Sequence, residues 1–234
     1  MEVREAVRGR RAVRDYQPEP VSNAMLKQVI VAASWAPSAM NEQSWRFTAV
    51  TDLALMAQIS GKAKQFMLTE TMNMPREDHF RDLLSDPDFN IFYNAPVLMV
   101  ISAPAGRWCT ENCALAAQNA MLEAYALGLG SCWIGFAEGW LNSEEGLSAL
   151  SLPQDARVVA PLILGHPRSE TPPVPRKKLQ VTWLGGATQD QPDSGRNFET
   201  SGPLQHYPFE EQLPAGNAWA PFHSYPGFRN PLPE

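Results

Sequence analysis

A mixed fold of helices and strands is predicted by three stretches of the chain. Ala95 to Ala103, "APVLMVISA", is a near-continuous apolar run, the pattern of a strand buried on both faces. Glu111 to Gly130, "ENCALAAQNAMLEAYALGLG", is too long for a strand and apolar almost all round, which predicts a buried helix. From Pro172 onward prolines, glycines and polar residues dominate, and such a segment cannot build a core of its own. A length of 234 residues suits one domain with an extension or two small ones. The 44% hydrophobic content is enough for an ordinary core.

The elements follow in order. Glu2 to Arg8 reads as a short helix stopped by Gly9. Ser22 or Asn23 caps a helix to about Trp35, with Met25, Val29, Ile30 and Ala33 on its apolar side, and Pro37 stops it. "RFTAVT", Arg46 to Thr51, reads as a strand, after which Asp52 caps a helix through about Phe66. Met72 to Asn90, polar and rich in Met, Asp and Pro, reads as a mobile helix-and-loop insertion. The long helix ends at Gly128 and Gly130, because glycine accepts the left-handed backbone of a helix end. Ser131 to Phe136 and Val158 to Gly165 read as two more strands, with a short helix capped by Ser143 between them. "KKLQVTWL", Lys177 to Leu184, reads as a last strand.

Composition narrows the function. A net charge of −6 argues against general nucleic-acid or membrane-surface binding. There is neither an apolar signal core near Met1 nor an apolar stretch long enough to span a bilayer. Three cysteines without a CxxC motif fit a reduced, cytoplasmic setting. Cys109 and Cys113, at i and i+4 without further ligands nearby, read as packing rather than metal binding. No metal site is expected.

"RGRRAVRDYQPEPV", Arg8 to Val21, places four arginines in seven residues of this acidic chain. Gly9 ends the helix, so Arg10 to Arg14 are extended and alternate residues point the same way. Arg10, Ala12 and Arg14 then line one side, with the two arginines roughly 13 Å apart. Two readings fit. One is a solvated basic turn; the other is a grip on a ligand with an anion at one end and a polar, electron-accepting ring at the other. A nucleic-acid arm fits less well, because no basic or aromatic surface continues the segment.

Four further blocks extend the pattern: "WAPSAMNEQSWRF", "NAPVLMVI", "AAQNAMLEAYALGLGSCWIG" and "VVAPLILGHP". In order and spacing the five blocks resemble the FMN-dependent, NAD(P)H-using nitroreductase family over about residues 8–184. The resemblance implies an α+β, three-layer fold whose central, mainly antiparallel sheet is flanked by helices. It further implies a homodimer with FMN in each of two interface sites and a C-terminal strand exchanged between subunits. Residues 1–185 then form the FMN-binding domain and 186–234 a proline-rich extension expected to wrap the dimer.

The resemblance also implies site residues. Arg10 and Arg11 match a basic pair near the flavin phosphate, and Arg14 a basic residue near the pyrimidine end of the ring. Ala12 stands where the family usually has serine, so one hydroxyl contact is missing. Pro37, Ser38, Ala39, Met40 and Asn41 match a loop that reaches the partner's flavin; the usual Gln-Pro-Trp that follows is here Gln43-Ser44-Trp45. Ile134 and Gly135 match backbone next to flavin N5, and Arg176 a late basic residue at the phosphate.

The implied activity is hydride transfer from NAD(P)H to nitroaromatics, quinones or activated alkenes in a ping-pong cycle. The flavin does the chemistry, so no side chain is catalytic and His79, His166, His206 and His223 receive no such role. The alternatives are a flavin-binding or interaction protein without turnover, and a dehalogenating or flavin-destroying member of the same family.

Overall fold

The computed structural model describes residues 1–71, 78–182 and 184. Contacts divide the chain into two units, Met1–Val174 and Pro175–Glu234. Of the second unit, residues 175–182 and 184 are described; all are exposed and outside helix and strand. The expected strand Lys177–Leu184 is therefore not formed within the single chain, and Trp183 lies outside the described residues. The expected wrapping of the extension also falls outside them, as do residues 72–77 of the predicted insertion.

The first unit is built on a four-stranded sheet of β1 (Arg46–Val50), β2 (Val97–Pro104), β3 (Gly130–Trp133) and β4 (Ala156–Gly165). The spatial order is β1-β2-β4-β3 and every pairing is antiparallel. Alternation in β2 sends Leu98 and Val100 to one face and Val97, Met99, Ile101 and Ala103 to the other. The first face carries α3 (Leu53–Thr71), α6 (Gly135–Leu141) and α7 (Glu144–Ala149). The second carries α2 (Asn23–Ser34) and α5 (Cys109–Ala126). The chain is thus the three-layer α+β structure expected: helices, mainly antiparallel sheet, helices.

Local chemistry sets the boundaries. The Ser22 hydroxyl accepts the Met25 N–H and caps α2, and Ser143 does the same for α7 from the Gly146 N–H. The inward face of α2 is Leu26, Val29 and Ala33, with Met25 and Ile30 beside them. Asp52 accepts the Ala54 and Leu55 N–H groups, and α3 runs five residues past the expected Phe66. The helix α4 (Asp78–Ser85) lies within the predicted insertion.

At the end of α5, Gly128 adopts φ +77°. The Gly128 N–H reaches Tyr125 O and the Leu129 N–H reaches Ala124 O, the double bond pattern of a Schellman end. The chain turns there directly into β3, so Gly130 belongs to the strand rather than to the helix end. β3 stops at Trp133, not Phe136. The residues read as its continuation form α6: the Ile134 N–H makes one more rung, to Pro161 O at 2.8 Å, but Pro161 has no N–H to return it, and Ile134 O accepts the Ala137 N–H instead.

Candidate functional site

The arginine segment starts where α1 (Val3–Gly9) stops. Arg10 has extended angles (φ −56°, ψ 135°), so the chain beyond it is a strand-like ribbon, as predicted. A parallel bridge joins Ala12 to Ser131 of β3, with the Val13 N–H donating to Ser131 O at 3.0 Å. Farther on, Tyr16 bridges Pro167, and the Gln17 N–H donates to His166 O at 2.8 Å. Arg168 adds a 3.0 Å ion pair to Asp15 and a 2.8 Å bond to Tyr16 O. The ribbon is stitched to the sheet edge at both ends.

From Ala12 to Arg14 the side chains alternate between exposed and buried. Val13 and Tyr16 are buried, and Ala12 and Arg14 are exposed. The Arg10 Nη1 lies 3.9 Å from Met121 Sδ of α5. Arg14 stands 5.9 Å from the centre of the Tyr93 ring, within cation–π range. Burial pushes the Cys132 thiol up, while the charges of Arg14 and Arg10 pull it partly back. Both arginines therefore act on one residue of β3. Because the bridge is parallel, Arg14 is carried toward Trp133, and Ile134 and Gly135 follow immediately. Gly135 is exposed, and as the first residue of α6 its N–H lies outside the helical ladder.

Arg11 behaves differently from its neighbours. Its Nη1 turns back on α1 and donates to Arg8 O at 2.6 Å, Arg10 O at 2.9 Å and Gly9 O at 3.1 Å. It completes the carbonyl end of that helix. A concave space of about 360 Å³ opens beside this turn, lined among others by Arg10, Arg11, Tyr125, Ser131, Ser169 and Glu170.

The polar loop is held elsewhere. Pro37 and Asn41 are exposed, Ser38 and Ala39 half-buried, and Met40 is 77% exposed. Met40, Asn41 and Gln43 have φ of 52°, 54° and 47°. Such angles cost about 1–2 kcal/mol each for a residue with a Cβ. The Ser38 hydroxyl accepts the Gln43 N–H at 3.0 Å, and Ala39 N–H donates to Asn112 Oδ1 of α5 at 2.8 Å. Arg10 meets the same helix at Met121, nine positions beyond Asn112, or about 13 Å along the axis. The chain thus gathers Arg10, Ala12, Arg14, Ile134 and Gly135 but keeps the Pro37–Asn41 loop apart. Arg176 is an exposed residue of the second unit.

Sequence reasoning passed over Asn112 and Tyr93. Asn112 carried a signal, standing between Cys109 and Ala116 on the face of α5 that is otherwise apolar or small. Tyr93 carried none that separates it from a core aromatic.

The nitroreductase family profile matches residues 7–166, which include β1 to β4, the arginine ribbon and the loop. The chain belongs to the nitroreductase family. Among nitroreductase relatives, an NAD(P)H-dependent FMN reductase of Bacillus subtilis is 28% identical over 184 residues, covering 75% of this chain and 70% of its own. An iodotyrosine deiodinase of Thermotoga neapolitana is 27% identical over 179 residues, covering 74% and 93%. The crystal structure of a Bacteroides fragilis nitroreductase with bound FMN superposes with a TM-score of 0.68 at 26% identity, over 79% of this chain and all of that one. Members of this nitroreductase family therefore share a fold while differing in the reaction they perform.

Proposed function

We propose that this nitroreductase-family chain is an FMN-dependent oxidoreductase that uses NAD(P)H, with its sites shared between two subunits. The observation that supports it most is the ribbon: Arg10 and Arg14 flank an exposed Ala12 on a segment bridged to β3, with the exposed Gly135 just beyond. That donor set fits FMN. A fixed guanidinium is a bidentate partner for phosphate, and a second one farther along the ribbon faces the polar end of a ring. When bound, FMN supplies a ring that takes hydride from NAD(P)H and returns it to a nitroaromatic, quinone or activated alkene in a ping-pong cycle.

The chain's own residues bind and orient. Arg10 holds the phosphate, and Arg14 stabilises negative charge at the pyrimidine end. Gly135 donates a backbone hydrogen bond toward N5. Arg11, committed to three carbonyls of its own turn, contributes positive charge rather than a direct contact. Ala12 leaves the ribbon smooth where a hydroxyl would have bonded the ligand. The loop Pro37–Asn41, held away from its own arginines, completes the site of a second copy. No side-chain acid is needed, and the compartment that suits three free cysteines is the cytoplasm. No described helix is long and apolar enough to cross a membrane.

The test is spectroscopic. The purified protein is expected to be yellow, to release FMN on denaturation, and to bleach when mixed anaerobically with NADH or NADPH. A protein that takes up no FMN in a titration contradicts the reading, and one that binds FMN without bleaching is a binding module. The similarity to the deiodinase supports a second reading, reductive dehalogenation. Halide release from iodotyrosine by the reduced protein, with no turnover of nitroaromatics or quinones, would select it.

A further inference from the structure

Asn112 is 1% exposed, in the first turns of a helix whose other buried residues are apolar or small. Its side chain spans the loop of residues 37–43. Oδ1 accepts the Ala39 N–H at 2.8 Å, and Nδ2 faces Glu42 Oε2 at 3.5 Å. The remaining described hydrogen bonds of the loop are internal: Asn41 N–H to Ser38 O, Glu42 N–H to Ala39 O, Gln43 N–H to Ser38 Oγ, and Gln43 Nε2 to Asn41 Oδ1. Among the described residues, the bonds that leave the loop both go to Asn112.

Asn119 lies seven residues on, two helical turns along the same face. Its Nδ2 donates to Ala32 O near the end of α2 at 3.2 Å. Two asparagines on one stripe of α5 thus tether both ends of the segment from Ala32 to Ala39. Between those tethers stand the exposed Trp35 and Pro37; just beyond them come three residues in left-handed conformation. Left-handed backbone at Met40, Asn41 and Gln43 does not persist unless surrounding contacts over-determine it. The loop's own bonds shape its tip, but they do not fix where that tip points.

We infer that Asn112 is a positioning residue: by holding Ala39 it presents the Pro37–Asn41 loop, in its strained form, to the flavin site of a second subunit. This rests on the shared-site reading above. An asparagine suits the task because it offers an acceptor to Ala39 and a donor toward Glu42 at once. Leucine has the same branched heavy-atom skeleton but leaves the Ala39 N–H without its acceptor. Aspartate keeps the acceptor but sets a carboxylate against that of Glu42.

The test uses the full chain, dimeric and FMN-loaded. Amide exchange across residues 37–43 is measured beside FMN affinity by fluorescence quenching, with the melting temperature as control. Asn112→Leu is expected to speed exchange at Ala39 about tenfold, to leave exchange in β1 unchanged, and to weaken FMN about tenfold. Asn112→Asp is expected to fall between the two. Adding Glu42→Gln to Asn112→Asp restores FMN affinity, since donor and acceptor then exchange sides. A folded Asn112→Leu protein with wild-type exchange and wild-type FMN affinity overturns the inference. If that variant does not fold, wild-type affinity in Asn112→Asp, or no recovery on adding Glu42→Gln, overturns it equally. If the wild type takes up no FMN, the flavin reading fails instead, and exchange at Ala39 alone decides whether Asn112 holds the loop.

Discussion

Val13 and Ser131 are joined by a 3.0 Å backbone hydrogen bond that fixes the arginine ribbon beside β3. The fit is tight at the neighbouring Gly130, where a Cβ would lie 2.8 Å from three side-chain atoms of Val13. One of those atoms is the Val13 Cβ, which cannot move without its backbone. Gly130→Ala should therefore push the ribbon off the strand. Overpacking of this kind costs about 1–3 kcal/mol, and FMN affinity should fall with stability. Urea unfolding and an FMN titration on the same variant check this; unchanged values in both would place the ribbon elsewhere.

Arg10 is assigned to phosphate. Removing a charge-assisted contact costs about 1.5–3 kcal/mol, so Arg10→Ala should bind FMN about ten- to a hundred-fold more weakly. Riboflavin, which lacks the phosphate, should bind almost as before. Arg11→Ala should instead destabilise the end of α1 and spare the difference between the two ligands, because its Nη1 is turned back on three carbonyls of that end. Equal losses for FMN and riboflavin in Arg10→Ala would contradict the assignment.

Much of this was legible before the structure, and the reasons differ by element. The caps Ser22 and Ser143 are local chemistry, and so is the end of α5 at Gly128. The strands β2 and β4 announce themselves by apolar runs buried on both faces. α6 was hidden because "GFAEGWL" holds two glycines and two aromatics, and its packing against α3 and β4 overrides that weak propensity. The length of α3 was hidden for a similar reason, since nothing in "MLTET" marks a stop. In the site, the extended ribbon followed from Gly9, but the fate of Arg11 did not. Charge alone cannot tell a ligand contact from a helix cap. The resemblance implied that the loop stands apart from its own arginines; how far apart depends on two points along α5 and needs three dimensions.

Alkaline pH should unfold this protein early. Burial, with Cys109 beside it, pushes the Cys113 thiol up to about 12. Cys109, Cys132 and Tyr16 are also raised, burial being the main cause. An unfolded thiol ionises near about 8.5. Above that the unfolded chain has lost protons that the folded one retains, so stability falls as pH rises. Below it the full stabilisation is present. The slope per group is about 1.4 kcal/mol per pH unit. Urea midpoints measured from pH 8 to 11 should decline, and Cys113→Ala should flatten the decline by one group's share. A flat profile in the wild type would mean that these groups are not protected.

The shared-site reading needs a dimer, and the single chain leaves Val31 at 55%, Trp35 at 81%, Met40 at 77% and Leu115 at 44% exposure on α2, the loop and α5. Obligate symmetric interfaces bury upward of about 2,000 Å². Leu115→Glu should give a monomer in light scattering that no longer retains FMN. A wild-type chain that stays monomeric while loaded with flavin would contradict the arrangement.

The central claim is that Arg14 lies beside the reducible ring. A fixed cation favours whichever redox state carries more negative charge, and only the difference between the two states counts. If that difference is about 1.5–3 kcal/mol, the two-electron potential moves by roughly 30–65 mV. Arg14 is exposed, and solvent screening moves the expectation toward the lower end. The measurement is the midpoint potential of bound FMN by dye-equilibrated titration. Arg14→Ala should lower it by tens of millivolts, and Arg14→Lys should recover part of the loss, keeping the charge without the planar fork. An Arg14→Ala protein that still holds FMN at the wild-type potential would show that Arg14 is not beside the ring.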